Sequence, residues 1–173
     1  MIRLFVALEL PAPVKAALLA GMGGVIGARW QRDEQLHLTL RFIGAVDRHQ
    51  AQDIAAALGR VNIVPMRLSL GQPGSFDRRG RLESLWVGVT PKDQLAALAR
   101  RIDRALVGAG LPAETRAFVP HITVARLGRS GGAPGGWPQQ PIPALAWDAA
   151  GFALWESRLG HEGADYNVVA RWP

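Results

Sequence analysis

Two histidines in this sequence stand at the start of nearly matching octets. Residues 37–44 read HLTLRFIG and residues 121–128 read HITVARLG, so both place His first, Thr third and Gly eighth. The chain has only four histidines. Because chance is a poor explanation for a shared spacing of such rare residues, we interpret the octets as a duplication or as two matched halves of one site.

The two octets could supply an acid, a base and two hydroxyl groups to one reaction. Side chains alternate along a strand, so His37 shares a face with Thr39, and His121 shares a face with Thr123. Near neutral pH, one imidazole can take a proton from a nucleophile while the other gives a proton to the leaving group. The threonine hydroxyls can donate hydrogen bonds to the oxygens of a phosphate held between the rings. This set suits in-line displacement on a phosphodiester, especially a strained cyclic one, and requires no metal or cofactor.

Two other chemistries fit the octets less well. A serine-type triad needs a nucleophile, a base and an orienting carboxylate, and the octets supply only the base. Zinc usually takes three or four protein ligands, and the chain has no cysteine and no HExxH motif to complete a site with His37 and His121. His49 and His161 lie in polar segments, and we expect both at the surface.

The octets lie in two stretches with the same order of parts. LFVALELP at residues 4–11 and LWVGVTP at residues 85–91 each form an apolar run that ends in proline. Each run predicts a strand followed by a helix, and an H-x-T strand comes next in each stretch.

The two predicted helices have recognisable ends. The first begins at Pro11 or Pro13 and runs to the glycines at 21–24. The second is predicted to have Thr90 as its N-cap and Pro91 at its first position, and to stop at the glycines at 108 and 110. Its apolar face consists of Leu95, Leu98, Ile102 and Leu106.

The remaining elements are less strongly marked. A third helix is predicted from Asp47, and two strands, MRLSLG and ESLWVGV, are predicted on either side of a loop, QPGSFDRRGR. The Gly- and Pro-rich residues 129–143 predict a further loop, followed by strands around FALWES and YNVVARW.

These elements predict an α+β fold with two similar lobes, in a single domain that spans residues 1–173. Each lobe would be an antiparallel sheet covered by helices, and a pseudo-twofold axis would bring the H-x-T strands to a central cleft. Leu38 and Leu40 would point into the core of one lobe, and Ile122 and Val124 into the core of the other.

Composition favours an anionic partner and a soluble chain. The 173 residues carry a net charge of +6. Almost all of the basic residues are arginines, whose planar guanidinium suits phosphate. Abundant Ala, Gly, Pro and Arg would also follow from a GC-rich genome, so the charge is only a prior. The absence of cysteine, of a membrane-spanning apolar run and of a signal peptide predicts a cytoplasmic protein, and we expect a monomer.

The motifs HLTL and HITV resemble the two H-x-T-x signatures of the 2H phosphoesterase superfamily. The surrounding RLFVALELP, LHLTLRFIG, LESLWVGV, FVPHITVARLG and YNVVARWP are similar to the bacterial RNA 2′,3′-cyclic phosphodiesterases, also called 2′-5′ RNA ligases. The resemblance covers nearly the whole chain. It implies the bilobal fold and the hydrolysis of a 2′,3′-cyclic phosphate at an RNA end to a 2′-phosphate. Some relatives also join RNA ends, typically tRNA halves, through a 2′-5′ linkage.

The resemblance also implies roles for individual residues. His37 would donate a proton to the departing 3′ oxygen, His121 would activate water, and Thr39 and Thr123 would bind the phosphate. The near-symmetry of the two halves does not distinguish acid from base without the resemblance.

Arg126 matches an arginine that contacts substrate phosphate in relatives, and Phe42, its counterpart in the first octet, would stack on the terminal base. Strict alternation, however, turns Arg126 away from the catalytic face and places Arg41, rather than Phe42, on that face. Arg126 therefore reaches the phosphate only if its strand bulges or ends near residues 127–128. Otherwise Arg41 is the candidate that neutralises charge.

Two further questions stay open in the sequence. The segment with Arg78, Arg79 and Arg81 could follow an RNA backbone or could be a solvated hairpin tip. The protein could be an enzyme acting on RNA ends, a module that binds a nucleotide or RNA end with little turnover, or a phosphodiesterase for small cyclic nucleotides.

Overall fold

The computed structural model describes residues 1–129, 132 and 135–173. Its elements run in the order β1 (Ile2–Leu8), α1 (Ala12–Ala20), β2 (Ala28–Trp30), a 3₁₀ turn (Asp33–Gln35), β3 (Leu38–Val46), α2 (Arg48–Leu58), β4 (Met66–Arg78), β5 (Arg81–Thr90), α3 (Lys92–Gly108), β6 (His121–Leu127), β7 (Ala146–Ala149), β8 (Phe152–Gly160) and β9 (Gly163–Trp172). In the described part of the chain, none of these helices has the length and apolar character that crossing a bilayer demands.

The strands form two antiparallel sheets. One has the order β3-β1-β8-β9, and the other has the order β2-β6-β5-β4-β7. The second order contains β6-β5-β4-β7, which matches the first sheet strand for strand, with β2 added beside β6. The α+β fold with two similar antiparallel sheets is therefore confirmed, and the two H-x-T strands, β3 and β6, occupy equivalent places.

The hydrophobic core is continuous across the two sheets. Leu38, Leu40, Ile122 and Val124 are all buried, with at most 4% of their surface exposed. All four belong to one cluster, which also contains the apolar face of α3, rather than to two separate cores. Both H-x-T strands therefore have their inward faces fixed in the same packed interior.

The helix starts follow the sequence closely, with one correction. The Asp47 carboxylate accepts a hydrogen bond from the backbone N–H of Gln50 at 2.8 Å, so it caps α2 as predicted. The prediction that Thr90 caps α3 is wrong, because Pro91 holds the N-cap position. Thr90 remains paired with Ser69 as the last residue of β5 and so cannot turn into the helix.

The predicted loop QPGSFDRRGR is also wrong. Strands β4 and β5 stay paired as far as Arg78 and Arg81, and a two-residue turn at Arg79 and Gly80 joins them with positive φ angles of 53° and 76°. Pro73 and its neighbouring glycines suggested a loop, but they accompany a β-bulge, where a proline can lie within a sheet.

Two short strands escaped the sequence analysis, and one loop is only partly described. β2 and β7 have three and four residues, which is too short for alternation to mark a strand. The described residues of the predicted loop 129–143 form neither helix nor strand, and residues 130, 131, 133 and 134 lie outside the described part.

Replacement of Asp47 tests the cap of α2. We expect Asp47→Ala to lower the free energy of unfolding by about 1 kcal/mol, because an N–H of the first turn loses its acceptor. Asp47→Asn keeps a side-chain oxygen and should retain most of that stability. Urea denaturation of the three proteins measures the difference, and equal stabilities for the alanine and asparagine variants would contradict the assigned cap.

Candidate active site

The second H-x-T strand, β6, contains a β-bulge directly after its threonine. Thr123 and Ala125 pair with adjacent residues of β5, so Val124 is an extra residue. The Val124 carbonyl accepts a hydrogen bond from the backbone N–H of Gln31 at 2.9 Å. The insertion reverses the alternation, so that Ala125 is buried and Arg126 is exposed on the face of the threonine. Arg126 was expected to reach the phosphate only if β6 bulged or ended near residues 127–128. The strand does bulge, but at Val124, three residues earlier.

The first H-x-T strand, β3, has its bulge at the same position of the motif. Thr39 and Arg41 pair with adjacent residues of β1, so Leu40 is the extra residue. Phe42 consequently lies on the catalytic face with 48% of its surface exposed, and it corresponds to Arg126 in the other half. Strict alternation, which favoured Arg41 over Phe42 as the exposed residue, does not hold.

Arg41 lines the cleft wall, but its charge is already paired. Its Nε atom donates to the Asp103 carboxylate at 2.8 Å, and its guanidinium lies 3.7 Å from the Glu114 carboxylate. It also donates to the Pro112 carbonyl, and only 9% of its side chain is exposed. These bonds tie β3 to α3 and to the segment before β6. They leave Arg126 as the better candidate for a phosphate.

All seven residues predicted from the sequence line one cleft of about 560 Å³. They are His37, Thr39, Arg41 and Phe42 from the first octet and His121, Thr123 and Arg126 from the second. The geometric expectation that residues 84 positions apart meet across a shared groove agrees with this placement. Each octet contributes one imidazole and one hydroxyl.

Both imidazole rings are held by the same type of hydrogen bond. Nδ1 of His37 lies 2.7 Å from the Gln35 carbonyl oxygen, and Nδ1 of His121 lies 2.6 Å from the Val119 carbonyl oxygen. In a neutral ring, Nδ1–H donates to that carbonyl and leaves Nε2 as an acceptor. Nε2 of His37 is 3.0 Å from the Thr39 hydroxyl, which can donate to it.

Aromatic side chains pack against both imidazoles, and the sequence analysis missed them. Phe5, Trp155 and Tyr166 surround His37 at centroid distances of 4.8, 5.8 and 5.2 Å, and Phe76 and Trp86 lie 5.0 and 5.8 Å from His121. Phe5, Trp86 and Trp155 come from apolar runs that concealed which side chains face the cleft, and Phe76 lies in the segment that was predicted as a loop. They restrict ring rotation and remove water from one side of each imidazole.

Burial is the main cause that lowers the pKa of His37 to about 4; the hydrogen bond to the Gln35 carbonyl acts against it, and the positive charges of Arg126 and His121 act with it. Burial also lowers the pKa of His121, and Arg126 acts in the same direction. Both rings are therefore mainly neutral at pH 7 in the free protein. An anion bound between them would favour their protonated forms.

The other two histidines lie outside the octets. His49 is exposed on α2, and His161 is exposed in the turn between β8 and β9, as predicted. Over residues 1–129, 132 and 135–173, no group of three or more His, Cys, Asp and Glu side chains is arranged to hold a metal ion.

Sequence comparison finds one matching family model and several similar curated proteins. The model of the 2′-5′ RNA ligase superfamily matches residues 27–160. The RNA 2′,3′-cyclic phosphodiesterase of Thermus thermophilus is 32% identical over 98% of this chain and 89% of that protein, and the Escherichia coli protein of the same name is 27% identical over 98% and 95%. The Aeropyrum pernix protein of that name is 35% identical, but the aligned part spans only 55% of this chain and 54% of that protein.

Solved structures share the fold over nearly the full length. A crystal structure of a Thermus thermophilus protein superposes with a TM-score of 0.81 and 29% identity, covering 98% of this chain and 96% of that one. Escherichia coli LigT complexed with 3′-AMP gives a TM-score of 0.80 and 25% identity, covering 99% and 96%.

Replacement of Arg126 tests the electrostatics of the site. We expect Arg126→Gln to raise the pKa of both His37 and His121, because removal of a nearby positive charge makes each imidazolium easier to form. Titration of the imidazole protons by NMR measures both values. Arg48→Gln, which removes an exposed arginine on α2, should leave both unchanged. Unaltered values in Arg126→Gln would show that Arg126 does not face the rings.

Proposed function

The chain belongs to the 2′-5′ RNA ligase superfamily, and on that basis we propose that it hydrolyses 2′,3′-cyclic phosphate ends of RNA to 2′-phosphates without a metal ion. One observation carries the proposal: a single cleft holds two tethered imidazoles, two threonine hydroxyls and an exposed arginine. These are the groups that a two-histidine displacement at phosphorus requires.

The proposed reaction is a single in-line displacement. A water oxygen attacks phosphorus while the bond from phosphorus to the 3′ oxygen breaks. His121 accepts the proton that the water loses, and His37 donates a proton to the departing 3′ oxygen. The hydroxyls of Thr39 and Thr123 donate to the non-bridging oxygens, and Arg126 balances the charge that develops there.

His37 takes up the proton for the leaving group when the substrate binds. Because burial keeps His37 neutral in the free protein, it acts as an acid only after it gains a proton. The negative phosphate supplies the charge that favours this proton uptake, and Thr39 is then free to donate to the phosphate instead of to the ring. The two rings have equivalent tethers, so the assignment of acid and base comes from the family resemblance.

The proposed displacement extends to a second nucleophile. A 5′-hydroxyl of another RNA strand, in the place of water, would attack the same phosphorus and form a 2′-5′ linkage as the 3′ oxygen leaves. Phe42, exposed beside the first octet, offers a flat apolar surface on which the terminal base stacks.

Replacement of either catalytic histidine should nearly abolish activity. We expect His37→Ala and His121→Ala each to reduce the rate about 10²–10⁴-fold, which is the usual contribution of one positioned acid or base. The rate of the unmodified protein should follow a bell-shaped pH profile and should be unaffected by EDTA. Phosphorus NMR with a 2′,3′-cyclic nucleotide measures hydrolysis, and His49→Ala is the control with an exposed ring. Full activity in both alanine variants at the cleft would exclude this mechanism.

The products on RNA separate the possible activities. We expect cyclic-phosphate-ended RNA to give a 2′-phosphate on a gel, and a joined product to form when an acceptor with a 5′-hydroxyl is added. Binding of the RNA without any product would instead identify a binding module, and turnover of cyclic mononucleotides alone would identify a small-molecule enzyme.

A better leaving group tests the assignment of His37 as the acid. In a substrate whose bridging 3′ oxygen is replaced by sulfur, the leaving thiolate is far less basic than an alkoxide and needs no proton. We therefore expect His37→Ala to retain most of the unmodified rate on this substrate, whereas His121→Ala stays slow. Kinetics on the oxygen and sulfur substrates give the comparison. Rescue of His121→Ala instead would reverse the two roles.

A further inference from the structure

A second cleft of about 720 Å³ opens from the catalytic one. The two share His37, Phe42, Arg126 and Tyr166, so they form one continuous surface. The charged side chains of the two clefts differ in balance. Four arginines and three carboxylates line the catalytic cleft, which is therefore nearly neutral. The second cleft is lined by one carboxylate, Glu162, and by five arginines, namely Arg3, Arg29, Arg32, Arg116 and Arg126.

Two of these arginines lie directly opposite each other. Arg29 on β2 and Arg126 on β6 are register partners in an antiparallel pair, so they project from the same face with Cβ atoms about 4.5–5.5 Å apart. Like charges in this arrangement repel each other and are destabilising unless an anion lies between them. Across the described residues, neither guanidinium is within 4.0 Å of a carboxylate.

Arg3 adds a third positive charge from the other sheet. It lies two residues from Phe5 along β1, about 6.6 Å away, and Phe5 packs against His37. Arg3 also has no ion-pair partner within the described part of the chain. The other two arginines are paired, Arg32 with Glu34 and Asp165, and Arg116 with Glu114. The unpaired positive charges of the second cleft are therefore Arg3, Arg29 and Arg126, on two sheets that face it.

We propose that the second cleft binds the phosphate that joins the terminal nucleotide to its 5′ neighbour, held by Arg29 together with Arg126 and Arg3. This subsite rests on the proposed function and makes the substrate an oligonucleotide rather than a free cyclic mononucleotide. The planar forks of two facing arginines can each donate two hydrogen bonds to one phosphate.

This path differs from the one that the sequence suggested. Arg78, Arg79 and Arg81 lie at the tip of the β4–β5 hairpin, and none of them lines either cleft. An RNA strand that leaves His37 toward the unpaired charges would run over β2 and β1.

Kinetics on two substrates test the subsite. The probes are cytidine 2′,3′-cyclic phosphate and a tetranucleotide that ends in the same cyclic cytidine. The unmodified protein should have a higher kcat/KM for the tetranucleotide, and Arg29→Gln should reduce the tetranucleotide-to-mononucleotide ratio of kcat/KM by about tenfold or more. Arg29→Lys, which keeps the charge but loses the fork, should give an intermediate ratio. The salt dependence of tetranucleotide binding should become shallower by about 0.7 in Arg29→Gln, as expected for one lost phosphate contact on a single strand.

Two controls give the test its direction. Arg48→Gln removes an exposed arginine on α2 and should leave the ratio as in the unmodified protein. An unchanged ratio in Arg29→Gln would overturn the proposal. A variant with Arg78, Arg79 and Arg81 all replaced by Gln is the second control. If this variant alone lost the preference for the tetranucleotide, the RNA strand would run at the hairpin tip, and the proposal would be wrong.

The subsite and the reaction can fail separately. If the unmodified protein hydrolyses neither substrate, the proposed function is wrong. Fluorescence anisotropy with a labelled tetranucleotide that ends in a 2′-phosphate then tests the subsite alone. Weaker binding by Arg29→Gln than by Arg48→Gln would support it, and equal binding would refute it. Thermal unfolding of each variant shows whether the exposed substitution has left the fold intact.

Discussion

The site depends on one inserted residue in each H-x-T strand. A regular strand presents every second side chain on a face, so positions one, three and six of an octet cannot all reach the same cleft. The bulges at Leu40 and Val124 remove this restriction and bring Phe42 and Arg126 beside the histidines. The same positions stay buried in the core, so the packing of the leucine and the valine holds each bulge in place. Apolar packing thus determines which polar groups meet the substrate.

The electrostatic state of the cleft follows from what surrounds the rings. Burial among aromatic side chains disfavours an imidazolium, and Arg126 opposes a second positive charge, while the backbone carbonyl bonded to each Nδ1 offsets these effects only in part. In the free protein, the cleft therefore holds neutral rings beside a permanent cation. Such a site favours an anion over a neutral ligand and takes up protons as the anion enters. Binding of the anion and protonation of an imidazole are therefore coupled.

Local sequence determined much of this arrangement, and long-range pairing determined the rest. The octets, the Asp47 cap and the apolar face of α3 could be predicted because each depends on residues within one or two turns of chain. The bulges could not, because they depend on register with β1 and β5, which lie far from the octets in sequence. The ion pair of Arg41 with Asp103, 62 residues away, could not be predicted for the same reason. The pairing of Arg29 with Arg126 also joins residues that are far apart in sequence.

The continuous core has a consequence for motion. Enzymes with a cleft between separately packed halves often close around a substrate by a hinge. Here Leu38 and Ile122, which adjoin His37 and His121, are anchored in a single interior, and opening or closing the gap between them would disrupt that interior. The spacing of the imidazoles is therefore preset by side-chain packing and does not wait for a rearrangement. Entry and release of a ligand then depend on diffusion along an open groove rather than on closure of the two sheets.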